Sequence, residues 1–252
     1  MGTPTHAVEP VLLHAAGSLQ CALTDVASAY EAAGGPKVCA KFGPSGILKN
    51  EIAAGERAAV FASANMEHPQ ALAAAGMSGP VVLFARNRIC ALARREVRVT
   101  PDTMLERMLD PEIKIGTSTP QADPSGDYAW KVFHKADALK PGAAAVLKRK
   151  ALQLTGSPAS ARPPPGQGPY GWHVAEGHAD LFLTYCTNAL EAQKQNPDQQ
   201  IIALPDALAV SADYGLTVLD GASPQAYRFA MYILSTDGRR ILLTHGFGAP
   251  AR

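Results

Sequence analysis

The 252-residue chain lacks several features that would assign it quickly to a class. Apolar stretches such as VVLF and DLFLTYC fall far short of the roughly twenty residues that a membrane-crossing helix needs, so a soluble chain is expected. Lysine and arginine number 23 against 22 aspartate and glutamate. With no basic block interleaved with aromatics, the footprint of a nucleic-acid binder is missing. The start, MGTPTHAVEP, has neither a positively charged head nor an apolar core, so no secretory signal is read there.

Catalytic motifs are equally scarce. GPSG is not a Gly-x-Ser-x-Gly elbow, because its glycines flank the serine at the wrong offsets. No glycine-rich run ends in Gly-Lys-Ser/Thr, which removes a Walker loop. Asp123 and Asp127 bracket Ser125, yet the sequence places no histidine to act as its base. An enzyme is not expected, and no catalytic residue is assigned. Cys21, Cys39, Cys90 and Cys186 form no Cys-x-x-Cys pair that would suggest zinc or dithiol chemistry. They read as small buried hydrophobes, with a Cys21–Cys39 bridge between a first helix and a second strand left open. His173 and His178 lie five apart, which does not stack them on one helix face, so a metal pair is not expected.

What is present is a hydrophobic fraction of 47%, enough for a full core, arranged as alternating strand-like and helix-like segments. Strands are expected at 11–16, 37–42, 58–64, 113–118 and 180–187, with a long extended segment at 81–95 able to pass from one sheet to another. Helices are expected after Ser18, over 46–54, before Gly76, over 126–139 and 141–154, and twice near the end, where Tyr227, Phe229, Met231 and Ile233 stand among the apolar positions. The Pro/Gly/Ser-rich stretch 155–169 reads as a loop. No short internal repeat is present. The order fits an α/β protein of two lobes, the first (8–86 and 209–252) interrupted by the second (87–208).

Three glycine-flanked serines stand at strand-to-helix junctions: Ser18 in HAAGSLQ, Ser45 in FGPSGIL and Ser125 in ADPSGDYAW. Each alone reads as a helix N-cap. Together they suggest an anion site, because helix N-termini present unpaired N–H donors and ligands of open α/β sheets gather beyond the carboxyl ends of strands. Hydroxyls and amides are neutral donors that suit an ion needing no proton. His14 reads as packed or surface, and Arg86 and Arg88 as solvated flanks of a strand.

VLLHAAGSLQCALTDVASAYEAAGG, AKFGPSGILKNEIAAGERAAVFASAN, DYAWKVF and AYRFAMYILSTDGRRILLTHGF together resemble the periplasmic molybdate-binding proteins of ABC importers, which are type II periplasmic binding proteins. The resemblance runs over nearly the whole chain. It implies two α/β lobes joined by hinge strands that close on molybdate or tungstate, a membrane permease as partner, a periplasmic location, a monomer, and no cofactor or metal beyond the oxyanion's own. By the same resemblance the ligand residues are Ser18, Ser45, a backbone donor at Ser125, a backbone donor at Tyr170, and Tyr185.

The chain also departs from that family. Ala59 stands where an aspartate is usual, and YCTNA and PPPGQGPYGW point to a divergent subgroup. Rejection of phosphate is expected from a shell of donors alone, which leaves a protonated oxygen without an acceptor. Other anions (sulfate, phosphate, a small carboxylate) and a cytosolic oxyanion sensor remain as alternatives.

Overall fold

The computed structural model describes residues 9–250; the outer limits of the expected first lobe, residues 8 and 252, lie outside that range. Strand β1 (Val11–Ala16) runs parallel to β2 (Val38–Gly43) and β3 (Val60–Ser63). Between them lie α1 (Gln20–Ala32), α2 (Ser45–Ala53) and, after β3, α3 (Glu67–Ala74). Leu19, Leu23, Val26 and Tyr30 face the core at the expected helical spacing.

The long strand β4 (Val82–Ala93) changes partners along its length. Val82 through Arg88 pair antiparallel with β9 (Ser211–Val218), whereas Ile89 through Ala93 pair with β7 (Leu181–Tyr185) and Cys90 through Ala93 also with β8 (Gln200–Ala203). The result is a nine-stranded sheet, eight strands in the order β2-β1-β3-β9-β4-β7-β5-β6 and β8 attached to β4. Two wings therefore meet at β4 and β9. The second wing adds β5 (Ile115–Ser118) and β6 (Leu152–Thr155), parallel to one another, with α5 (Pro124–Leu139) packed on β5 and β7. Helices α4 (Met104–Leu109), α6 (Ala143–Lys150), α7 (Pro169–Ala175) and α8 (Cys186–Gln195) complete it; α9 (Pro224–Leu234) and α10 (Thr236–Thr244) return to the first. No helix among the described residues is long and apolar enough to cross a membrane.

Three expectations need correction. The helix expected over 141–154 stops at Lys150, where Lys148, Arg149 and Lys150 complement the negative helix end, and residues 152–155 form β6 instead. Of the four apolar positions named on α9, Phe229 and Ile233, four apart, are buried together with Ala226 and Ala230, whereas Tyr227 and Met231 face outward, at 52% and 66% exposure. Cys90 and Cys186 form a disulfide, while Cys21 and Cys39 are exposed and free. Strand β7 lies beside β4 with Ile89 opposite Tyr185, so Cys186 emerges next to Cys90. No local pattern encodes that adjacency.

Candidate functional site

A cleft of about 850 Å³ opens between the wings at the carboxyl ends of the parallel strands. From the first wing it is lined by Gly17 and Ser18 after β1, Gly43 to Ser45 after β2, and Ala64 after β3. The second wing contributes Asp123, the loop carrying Arg162, Tyr170 and Tyr185. Ser18, Ser45, Tyr170 and Tyr185 thus meet in one cavity, as expected of a binding site. Ser125 stands one turn of chain behind Asp123, fully buried.

None of the three serines caps its helix. Ser18 sits in a 3-10 turn (Gly17–Leu19) whose cap is Ala16, Ser45 follows the cap residue Pro44, and α5 is capped by Asp123. Their hydroxyls are therefore free of the usual task of short polar residues at such junctions. Ser45 is 1% exposed, and its Oγ accepts from the Ala64 amide at 3.1 Å, which leaves its own proton for a ligand in the cleft. Ser18 Oγ lies 2.9 Å from the Tyr214 hydroxyl. Ser125 Oγ is buried without a partner among the described residues. Such a group costs folding free energy unless something else satisfies it.

Two wing-to-wing hydrogen bonds cross the cleft. The Gly46 amide donates to the Ala122 carbonyl at 3.0 Å, and the Tyr185 hydroxyl donates to the Ala64 carbonyl at 3.4 Å. Burial raises the phenol pKa values of Tyr170, Tyr185 and Tyr214, so all three remain neutral donors near neutral pH.

Two site expectations change. The Ser125 amide is not free, because it donates to Asp123 Oδ1 at 3.0 Å. The cleft is also not lined by donors alone: the Asp123 carboxylate lines it, its pKa pushed up to about 6 by burial, with Asp127 adding repulsion. The aspartate–proline start of α5 signals this cap in the sequence. Because the folded pKa lies above the unfolded one, ionised Asp123 opposes folding fully above about pH 6, and the cost vanishes as pH falls below about 4. Asparagine caps equally well. Asp123→Asn is expected to stabilise the ligand-free protein by about 2–3 kcal/mol at pH 8 and to leave it unchanged at pH 4, read by urea unfolding at both pH values.

The remaining candidates lie elsewhere. His14 bonds Glu56 at 3.1 Å, Arg86 pairs with Asp213 at 2.9 Å, and Arg88 is exposed. Ala59 is held by backbone bonds to Leu12 and Leu219, away from the cleft. His173 and His178 do meet, Nδ1 to Nδ1 at 3.2 Å, because the turn after α7 folds His178 back. Among the described residues no group of three or more metal-ligating side chains occurs.

Residues 11–248 match the family model described as bacterial extracellular solute-binding protein. The chain belongs to that family. This solute-binding protein is 34% identical over 209 residues to the uncharacterized protein PM1146 of Pasteurella multocida, covering 82% of this chain and 85% of the other. It is 26% identical over 261 residues to the molybdate-binding protein ModA of Mycobacterium tuberculosis, covering 98% and 87%. The periplasmic molybdate-binding protein of Azotobacter vinelandii superposes with a TM-score of 0.74 at 17% identity, over 96% of this chain and 100% of that one.

Proteins with other ligands share the architecture. The sulfate-binding protein SubI of Mycobacterium tuberculosis gives a TM-score of 0.73 at 16% identity, over 95% and 86% of the two chains. The fructose-6-phosphate-bound AfuA of Actinobacillus pleuropneumoniae gives 0.72 at 15%, over 95% and 83%. These likenesses establish the type II periplasmic binding-protein fold of this solute-binding protein, a curled α/β sheet in two wings.

Proposed function

We propose that this solute-binding protein captures a tetrahedral oxyanion, molybdate or tungstate, in the periplasm and delivers it to the membrane permease of an ABC importer. Lobes 8–86 with 209–252 and 87–208 are the bodies that close on it. The observation carrying this reading is the pair Ser18 and Ser45 at helix starts, neither of which caps its own helix, lining one cleft with the neutral phenols of Tyr170 and Tyr185. Hydroxyls released from capping can turn their protons toward an anion, and the positive ends of α2 and α5 add a favourable potential.

Ser18 and Ser45 hold the ion from one lobe. Tyr185, together with the amides near Ser125 and Tyr170, completes the shell from the other. Closure excludes water and strengthens each of these hydrogen bonds. No step of this cycle changes the bonds of the bound ion, so the protein binds without turnover and needs no cofactor.

Calorimetric titration with molybdate, tungstate, sulfate and phosphate tests the assignment. Molybdate and tungstate are expected to bind more tightly than the other two. Ser45→Ala is expected to weaken them roughly tenfold to a hundredfold, the loss of one hydrogen bond to a charged group. Equal affinity for all four ions, or an unchanged Ser45→Ala, would refute the ligand.

A further inference from the structure

The N-terminus of α5 already holds an anion, and that anion belongs to the protein. Asp123 Oδ1 accepts the Ser125 amide at 3.0 Å, in the position where a ligand oxygen would take that donor. The carboxylate lines the same cleft as Ser18 and Ser45. Gly156 closes over it: a Cβ added there would stand 2.6 Å from the Asp123 Cβ, and its φ of +82° is glycine's own territory. Beside it lie the Ser118 hydroxyl, the phenols of Tyr170, Tyr185 and Tyr214, and the second carboxylate, Asp127. Arg162 is the one basic side chain lining the cleft among the described residues, and it makes no ion pair with Asp123. A dianion entering this cleft therefore meets an uncompensated like charge.

We propose that Asp123 makes anion capture proton-linked, its carboxylate taking up one proton from solvent as a tetrahedral dianion seats beside it. The inference rests on the anion reading of the cleft. Protonation does two things at once: it removes the repulsion, and it releases the Ser125 amide while giving Asp123 an O–H to donate to the ligand.

The dependence follows from linkage. With the free carboxyl titrating at about 6, Asp123 is already neutral at lower pH and affinity is flat there. Above that point the proton must be taken from solvent, and the association constant falls about tenfold per pH unit until the bound form itself ionises, one to three units higher.

Titration of the full chain with sodium molybdate from pH 5.5 to 8.5, each point in two buffers of different ionisation enthalpy, tests this. Affinity is expected to drop about a hundredfold between pH 6 and 8, with close to one proton taken up per ion at pH 7.5. Asp123→Asn, which preserves the cap, is expected to flatten the profile and to bind at pH 8 about a hundredfold more tightly than the native chain. Measurable binding with a flat native profile, or a slope retained in Asp123→Asn, overturns the proton linkage and leaves the anion reading standing. Absence of heat at pH 6 with molybdate, tungstate, sulfate and phosphate alike overturns both.

Discussion

Gly46→Ala is expected to weaken molybdate binding about a thousandfold. A Cβ at position 46 would press on the Gln121 carbonyl oxygen and stand 2.8 Å from that of Ala122, both across the cleft on the second wing. Those carbonyls cannot swing aside, because Gln121 holds a φ of 67° and its amide is bonded to Asp127. The 3.0 Å bond from the Gly46 amide to Ala122 would be lost with them.

The wings would stop short of their closed spacing, and Tyr185 and the α5 terminus would fall out of reach of an ion held by Ser18 and Ser45. Two hydrogen bonds to a charged ligand at about 1.5–3 kcal/mol each amount to about 4 kcal/mol, hence the thousandfold. The nearest atoms an added methyl meets all belong to the second wing, so the substitution acts on the approach of the two wings. Calorimetric titration with molybdate reads the result. Native affinity in Gly46→Ala would mean that capture does not require the two loops to touch.

Reduction of the Cys90–Cys186 disulfide is expected to lower stability by about 4 kcal/mol. The two cysteines are 96 residues apart, and a cross-link closing a loop of that length removes a large share of the unfolded chain's freedom. Urea unfolding with and without reductant should show the drop in the native chain. Cys90→Ser/Cys186→Ser should show the same stability under both conditions, at the level of the reduced native protein. The bond also fixes the start of α8 against β4 immediately after Tyr185, so the double variant is a test of how far that phenol depends on a covalent neighbour. Equal midpoints for oxidised and reduced native protein would show that the loop adds nothing to the folded chain's advantage.

Much of the fold is legible in the sequence because its elements are local. The spacing of Leu19, Leu23, Val26 and Tyr30 gives α1, and the length of the segment 81–95 foreshadows a strand shared by two sheets. Where expectation failed, a long-range or competing influence decided. LQLT at 152–155 is short enough to be swallowed by the preceding helix pattern, and becomes a strand only because β5 offers it an edge. The disulfide depends on β7 lying beside β4, a fact of topology rather than spacing.

The site divides in the same way. Ser18 and Ser45 announce themselves by position at strand-to-helix junctions, and Tyr185 by the end of its strand. The sequence shows Asp123 as a neighbour of Ser125 and, before Pro124, as a helix cap. Its importance comes from burial and from the absence of an ion-pair partner, neither of which a linear pattern records.

The sharing of β4 between wings bears on the order in which the chain can acquire structure. Every strand of the second wing, from the latter part of β4 to β8, lies within residues 89–203, and the disulfide closes inside that span. The first wing has no such independence: between β3 and β4 it leaves a gap that only Ser211–Val218 can fill. As the polypeptide emerges from its amino end, the interior insertion can therefore consolidate while the earlier-made β1, β2 and β3 still wait for β9. The half of the protein synthesised first is the half completed last.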